Sequence, residues 1–208
     1  MNGGRAETPD DSDIVTLTPA AFEIVYLCTG NRCRSPMAEA WTRHLALQRD
    51  LPLVVGSAGT LDLGPVGSPT PALDVMQEAG IDLSGHRARP LATVEMATAD
   101  LVIGFERYHV AAAVVDGRVP YGRAFTLIEL VRLLETSEPF EGRGSVDPHA
   151  RVEGARRAVD RAHGSRGEAD LGTGEDLPDP FGAPASVYVV TSERIAELSE
   201  RLLRGLFG

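Results

Sequence analysis

The chain has 208 residues, which suits one domain with a single hydrophobic core. Its formal net charge is -10, and all 20 of its basic residues are arginines. An acidic chain without a basic stripe argues against a nucleic-acid partner. The first apolar run, residues 22–27, is too short to span a bilayer, and no secretory signal pattern precedes it. We therefore expect a cytoplasmic protein with neither a nucleic-acid nor a membrane partner; the oligomeric state stays open.

Strand-like and helix-like segments alternate along the chain. Residues 1–20 are polar and rich in turn formers, and we expect a disordered tail there and a single domain over residues 21–208. The patterns predict strands at 22–27, 51–55, 101–105 and within 119–125, and helices at 37–47, 71–79, 107–115, 126–134 and 185–206. This alternation predicts an α/β fold whose parallel sheet is covered on both faces.

Three segments have additional signals. Thr126 and Glu129 have the spacing of a helix-capping box. The last helix carries an apolar stripe formed by Val189, Ile195, Leu198, Leu202 and Leu203. Residues 137–176 are rich in Gly, Arg, Asp and Glu, and their one periodic stretch is 152–162. We expect a surface insert there with an arginine-rich solvated helix, and docking of a partner is the alternative.

Residues 28–35, Cys-Thr-Gly-Asn-Arg-Cys-Arg-Ser, lie between the first predicted strand and the first predicted helix. Backbone N–H groups of such a loop and the N-terminus of the helix form a socket for a tetrahedral dianion. Gly30 and Asn31 accept the left-handed backbone angles that a tight cradle requires. Arg34 presents a planar fork to two phosphate oxygens. The loop therefore predicts a phosphate site.

The same loop contains both cysteines of the chain. The N–H groups and Arg34 favour a Cys28 thiolate, which makes Cys28 the candidate nucleophile. Ser35 is placed to hydrogen-bond that sulfur. Two thiols five residues apart indicate a reducing compartment and a chemical role, although they could cross-link under oxidation.

A general acid is missing from the loop, and a later segment supplies one. Asp179-Pro180-Phe181-Gly182 places a carboxylate on a stiff turn just before the last helix. Asp176 is the substitute acid. The five histidines are scattered without the spacing of metal ligands, and we expect no metal and no cofactor.

The loop with its following Pro36 and the distant Asp-Pro resembles the low-molecular-weight protein tyrosine phosphatase family. The similarity continues in Ser57-Ala-Gly-Thr60, in residues 80–89 and in Ala99-Asp-Leu-Val102, and it covers roughly residues 22–135 and 176–208. The resemblance implies a three-layer α/β/α sandwich with a four-stranded parallel sheet. It also implies metal-independent hydrolysis of a phosphotyrosine protein or another phosphomonoester, through a phosphocysteine.

The resemblance assigns a role to each residue of the loop. It implies that Asn31 braces the loop through Ser57, that Ser35 tunes the Cys28 thiolate, and that Cys33 can form a reversible disulfide with Cys28. The catalytic set is Cys28, Arg34, Ser35 and Asp179. The substrate-binding set is Thr29, Gly30, Asn31, Arg32, Cys33 and Phe181.

The chain departs from the family where aromatic residues flank the phosphorylated ring. Phe181 can form one wall, whereas the loop after the second strand holds Leu61, Asp62 and Leu63 and leaves the other wall open. Small-thiol-dependent arsenate reduction and a catalytically silent phosphate-binding module are the alternative functions. We expect residues 86–89 to enter a helix, with a basic edge near the loop as the alternative.

Overall fold

The computed structural model describes residues 21–136, 144–167 and 175–208, and the expected tail at 1–20 lies outside them. Its one sheet has four parallel strands in the order β2-β1-β3-β4. The strands are β1 (Phe22–Cys28), β2 (Leu53–Gly59), β3 (Leu101–Gly104) and β4 (Ala124–Thr126). The predicted four-stranded parallel sheet is confirmed.

Six α-helices surround the sheet in the described part of the chain. They are α1 (Arg34–Gln48), α2 (Thr70–Glu78), α3 (Arg107–Val115), α4 (Leu127–Thr136), α5 (Pro148–Gly164) and α6 (Ala185–Phe207). Short 3-10 turns occupy Leu91–Thr93 and Tyr121–Arg123. The predicted helices are confirmed to within a few residues. None of the helices described is both long and apolar enough to cross a membrane.

Alternation along β1 separates two hydrophobic cores. Phe22, Ile24 and Tyr26 belong to the larger core, which α1, α2, α4, α5 and α6 complete. Val25 and Leu27 belong to a smaller core closed by α3. Because successive side chains of a strand point to opposite faces, one buried strand supplies both cores and the three-layer sandwich follows.

The insert differs from the expectation of a solvated helix. In α5, Val152, Ala155 and Ala162 are fully buried, and the helix packs against α4, α6 and β1. Arg156 pairs with Asp100 at the start of β3. The small apolar residues recur at helical spacing, so α5 buries one face in the larger core and keeps its arginines outside. The flanking residues 137–143 and 168–174 lie outside the described residues.

Two local expectations were also wrong, and one was confirmed. Residues 86–89 belong to no helix or strand; they lead to the bridge between Gly59 and Pro90. Val189 is 37% exposed and lies off the buried stripe of α6, whereas Tyr188 lies on it. The capping box is present, since Glu129 N donates to Thr126 Oγ1 and Thr126 N donates to the Glu129 carboxylate.

The sheet brings the ends of its strands to a common edge. Cys28, the last residue of β1, lies opposite Gly59 of β2, while Leu27 lies opposite Gly104 of β3. A Cβ atom at Gly59 would lie 2.9 Å from the backbone N of Asn31, so only glycine allows the loop after β1 to approach β2. Ligands of open parallel sheets bind at this carboxyl edge.

The contact between α4 and α6 gives a stability test. A Cβ at Gly205 would lie 2.8 Å from Leu134 Cβ, so Gly205→Ala is expected to lower the free energy of unfolding by about 1–3 kcal/mol through overpacking. Gly164, at the end of α5, has nothing within 4 Å of an added Cβ. Gly164→Ala is the control and should raise the same free energy by up to about 1 kcal/mol. Urea unfolding measures the free energy of unfolding of the two variants. If Gly205→Ala and Gly164→Ala changed it equally, the close packing at Gly205 would be contradicted.

Candidate active site

Asn31 holds the loop in its curled form. Its φ of 49° is left-handed, and its side chain is fully buried. Asn31 Nδ2 donates to Ser35 Oγ (2.9 Å) and Ser57 Oγ (2.8 Å). Its Oδ1 accepts the backbone N–H of Arg89 (2.9 Å). The side chain therefore ties the loop to β2 and to the segment after α2, with the Asn31 to Ser57 contact that the resemblance implies.

A second layer of polar groups supports Asn31. Ser57 Oγ donates to Glu39 of α1 at 2.6 Å. His86 Nε2 donates to the backbone carbonyl of Asn31 at 2.7 Å, and burial lowers the pKa of His86. Residues 86–89 thus lie against the loop, through the His86 ring and the backbone N–H of Arg89, and a basic edge there stays a prediction.

The two cysteines have different surroundings. Cys28 is buried, and its Sγ lies 3.0 Å from Ser35 Oγ. Burial raises the pKa of the Cys33 thiol to about 12, even though the Tyr188 hydroxyl hydrogen-bonds to it. Cys33 is therefore protonated at neutral pH. Both cysteines are free thiols in this structure, and the disulfide between them stays a prediction.

Arg34 lies at the base of the site with no exposed surface. Its Nη1 donates to Glu106 and to the carbonyl of Leu177 (2.8 Å), and its Nη2 donates to Asp179 (2.7 Å). The buried Nε has no hydrogen-bond partner among the described residues. Two carboxylates pair with the charge of Arg34, and Nε is a donor left for a ligand.

The two candidate acids are separated by the fold. Asp179 lines the cleft above Cys28, and its Oδ1 accepts the backbone N–H of Phe181 (3.1 Å). Asp176 instead accepts the backbone N–H of Arg107 at the start of α3 (3.0 Å). Of the two carboxylates, Asp179 therefore lies at the cleft, and Asp176 contacts the start of α3.

Cys28 and Asp179 line one cleft of about 330 Å³. Its walls hold loop residues together with side chains from the β2 to α2 loop and the Asp-Pro turn. They are Cys28, Thr29, Gly30, Arg32, Cys33, Leu61, Leu63, Asp179 and Phe181. The wall that the sequence left open is supplied by Leu61 and Leu63, so an apolar slot leads to the sulfur without the family's second aromatic residue.

Sequence reasoning missed a histidine beneath the loop. His109 is fully buried; its Nδ1 accepts the backbone N–H of Glu106 (3.1 Å), so Nε2 carries the proton and donates to Thr29 Oγ1 (3.0 Å). Burial and, next, the charge of Arg34 lower the pKa of His109 to about 4. Glu106 and His109 follow β3 directly at the carboxyl edge, and that position was the available signal.

This neutral histidine predicts an acid-dependent loss of stability. Below its ordinary pKa of 6.5, His109 takes up a proton in the unfolded chain but not in the folded protein until about pH 4. The free energy of unfolding should therefore fall by up to about 3 kcal/mol between pH 7 and pH 4 from this group. In His109→Gln, the free energy of unfolding measured with urea should depend less on pH than it does in the wild type. His149→Gln, at an exposed histidine, is the control and should keep the wild-type dependence. An unchanged slope in His109→Gln would contradict the assignment.

Known proteins share this sequence and architecture. The family model described as low molecular weight phosphotyrosine protein phosphatase matches residues 23–146. A protein-arginine-phosphatase of Bacillus subtilis (strain 168) is 30% identical over 186 residues, which are 89% of this chain and 97% of that protein. The low molecular weight protein-tyrosine-phosphatase Etp of Escherichia coli (strain K12) is 34% identical over 119 residues, 56% of this chain and 76% of Etp.

A solved structure supports the same relationship. The low molecular weight protein tyrosine phosphatase from T. tengcongensis has a TM-score of 0.65 with this chain at 26% identity. The match covers 88% of this chain and 98% of that one. On the family model, the relatives of nearly full length and the shared fold, the chain belongs to the low molecular weight phosphotyrosine protein phosphatase family.

Proposed function

We propose that the protein hydrolyses phosphomonoesters through a phosphocysteine at Cys28, with phosphotyrosine proteins as the substrate class. The observation that carries the proposal is the convergence of three groups. The Cys28 sulfur and the Asp179 carboxylate line one cleft, and Asp179 accepts from Nη2 of Arg34, whose Nε has no partner among the described residues. Such a set provides a nucleophile, an anion clamp and an acid in one cleft.

Binding begins with exchange of partners at Arg34. A substrate phosphate accepts the loop N–H groups and Arg34 Nε, and it replaces Asp179 at Nη2. Glu106 remains on Nη1 and keeps the guanidinium plane in place. The exchange frees Asp179 for proton transfer because its carboxylate no longer pairs with Arg34.

Chemistry then follows in two displacements. Once released from Arg34, Asp179 takes up a proton from solvent. Cys28 Sγ then forms a bond to phosphorus while the bond from phosphorus to the ester oxygen breaks, and Asp179 donates that proton to the ester oxygen. In the second step Asp179 takes a proton from water, the water oxygen bonds to phosphorus, and the S–P bond breaks. Ser35 Oγ, 3.0 Å from Sγ, donates to the departing thiolate.

The slot favours an aryl phosphate. Leu61, Leu63 and Phe181 supply apolar walls to the cleft of about 330 Å³, which suit an aromatic ring. The Bacillus subtilis relative is named as a protein-arginine-phosphatase, so phosphoarginine is the competing protein substrate.

We also propose one phosphatase domain over residues 21–208, since α5 and α6 share the core with β1, and a cytoplasmic location, since both thiols are free.

Replacement of the nucleophile tests the mechanism. Cys28→Ser should lower kcat for 4-nitrophenyl phosphate by about 10³-fold or more, because a hydroxyl cannot replace the thiolate, while inorganic phosphate still binds. Steady-state assays without added metal and calorimetric titration with phosphate measure the two effects. Turnover that survives in Cys28→Ser would refute the phosphocysteine. A wild type that binds phosphate or reduces arsenate with a small thiol but hydrolyses no ester would favour the alternative functions.

Replacement of the acid gives an independent test. Asp179→Asn should lower kcat for phenyl phosphate by about 10²-fold and should affect 4-nitrophenyl phosphate much less, because the more acidic leaving group needs less proton transfer. Asp176→Asn is the matched control, since asparagine still accepts from Arg107 N, and it should leave both rates within about twofold. Equal losses on the two esters in Asp179→Asn would show that Asp179 is not the acid.

A further inference from the structure

Arg32 brings to the cleft a charge that no carboxylate balances within the described residues. Its Nε donates to the carbonyl of Gly67 at 3.0 Å, and its guanidinium carbon lies 5.1 Å from the centroid of the Phe181 ring. It forms no ion pair with a described Asp or Glu. Arg34, by contrast, is neutralised by Glu106 and Asp179.

The guanidinium of Arg32 is held in place before any ligand arrives. The Gly67 carbonyl fixes Nε, and the ring of Phe181 supports the guanidinium by a cation–π contact. Nη1 and Nη2 have no partner within the described residues and remain as two parallel donors beside the cleft that leads to Cys28. A fork of this kind matches a carboxylate in a bidentate fashion, and little entropy is lost because the side chain is already ordered.

We propose that Nη1 and Nη2 of Arg32 form a subsite for a substrate carboxylate next to the phosphorylated residue. The inference rests on the proposed phosphatase function and defines its substrates as phosphotyrosine sequences with acidic neighbours. Phosphoarginine is disfavoured, because its guanidine N–H groups would face an arginine that has donors only. A basic neighbour of phosphotyrosine is disfavoured by repulsion between like charges.

The test uses three phosphotyrosine peptides that differ only in the residues flanking phosphotyrosine, which are Glu, Gln or Lys on both sides. General attraction of the phosphate to Arg32 is common to all three and cancels in ratios of kcat/KM. Wild type should prefer the Glu peptide over the Lys peptide by about tenfold. Arg32→Gln should bring that ratio close to one, and Arg32→Glu should invert it.

Arg123→Gln is the charge-matched control, because Arg123 is exposed outside the cleft and bonds the carbonyl of Ala99. It should keep the wild-type ratio, and thermal unfolding verifies that each variant folds. A wild-type ratio near one, a ratio that survives in Arg32→Gln, or faster turnover of a phosphoarginine peptide than of the Glu peptide would overturn the subsite. The subsite would also be overturned if the protein hydrolysed 4-nitrophenyl phosphate through Cys28 but hydrolysed none of the peptides. If the protein hydrolysed no 4-nitrophenyl phosphate either, the phosphatase function itself would be refuted.

Discussion

A guanidinium without exposed surface must be neutralised by its neighbours, and the site is organised around that requirement at Arg34. Glu106 reaches Arg34 from the loop just after β3. Asp179 reaches Arg34 from a turn that lies 145 residues after Arg34 in the chain. The carbonyl of Leu177 completes the contact. In the proposed mechanism the same guanidinium binds phosphate, so the ion pair that holds Asp179 beside Arg34 also places the proposed acid at the cleft.

The fold provides the rigid frame that this arrangement needs. β1 is buried on both faces, and its two sets of alternating side chains anchor both cores. The strand therefore delivers Cys28 to a fixed point at the carboxyl edge, and Gly59 on the neighbouring strand leaves room for Asn31. The bonds of Asn31 to Ser35 and Ser57 then hold the loop in place.

Much of the fold followed from local patterns. The strand before Cys28 and the Thr126 capping box were predictable because each depends on a few consecutive residues. The errors arose where tertiary packing decides. Ala155 and Ala162 are small residues among arginines, and only contact with α4, α6 and β1 makes α5 part of the core. Residues 86–89 were expected to enter a helix. Instead, His86 contacts the backbone carbonyl of Asn31, and the backbone N–H of Arg89 donates to the Asn31 side chain.

The sequence by itself determined the chemistry of the loop. Eight consecutive residues contain the proposed nucleophile Cys28, the proposed anion clamp Arg34 and the left-handed Asn31, and these assignments depend on local backbone geometry. Only the tertiary structure decided which distant groups complete the site. Asp179 rather than Asp176 lines the cleft with Cys28, and His109 contacts Thr29, since such pairings join segments remote in the chain. The stacking of Arg32 on Phe181 is likewise a contact between two loops, which no spacing rule predicts.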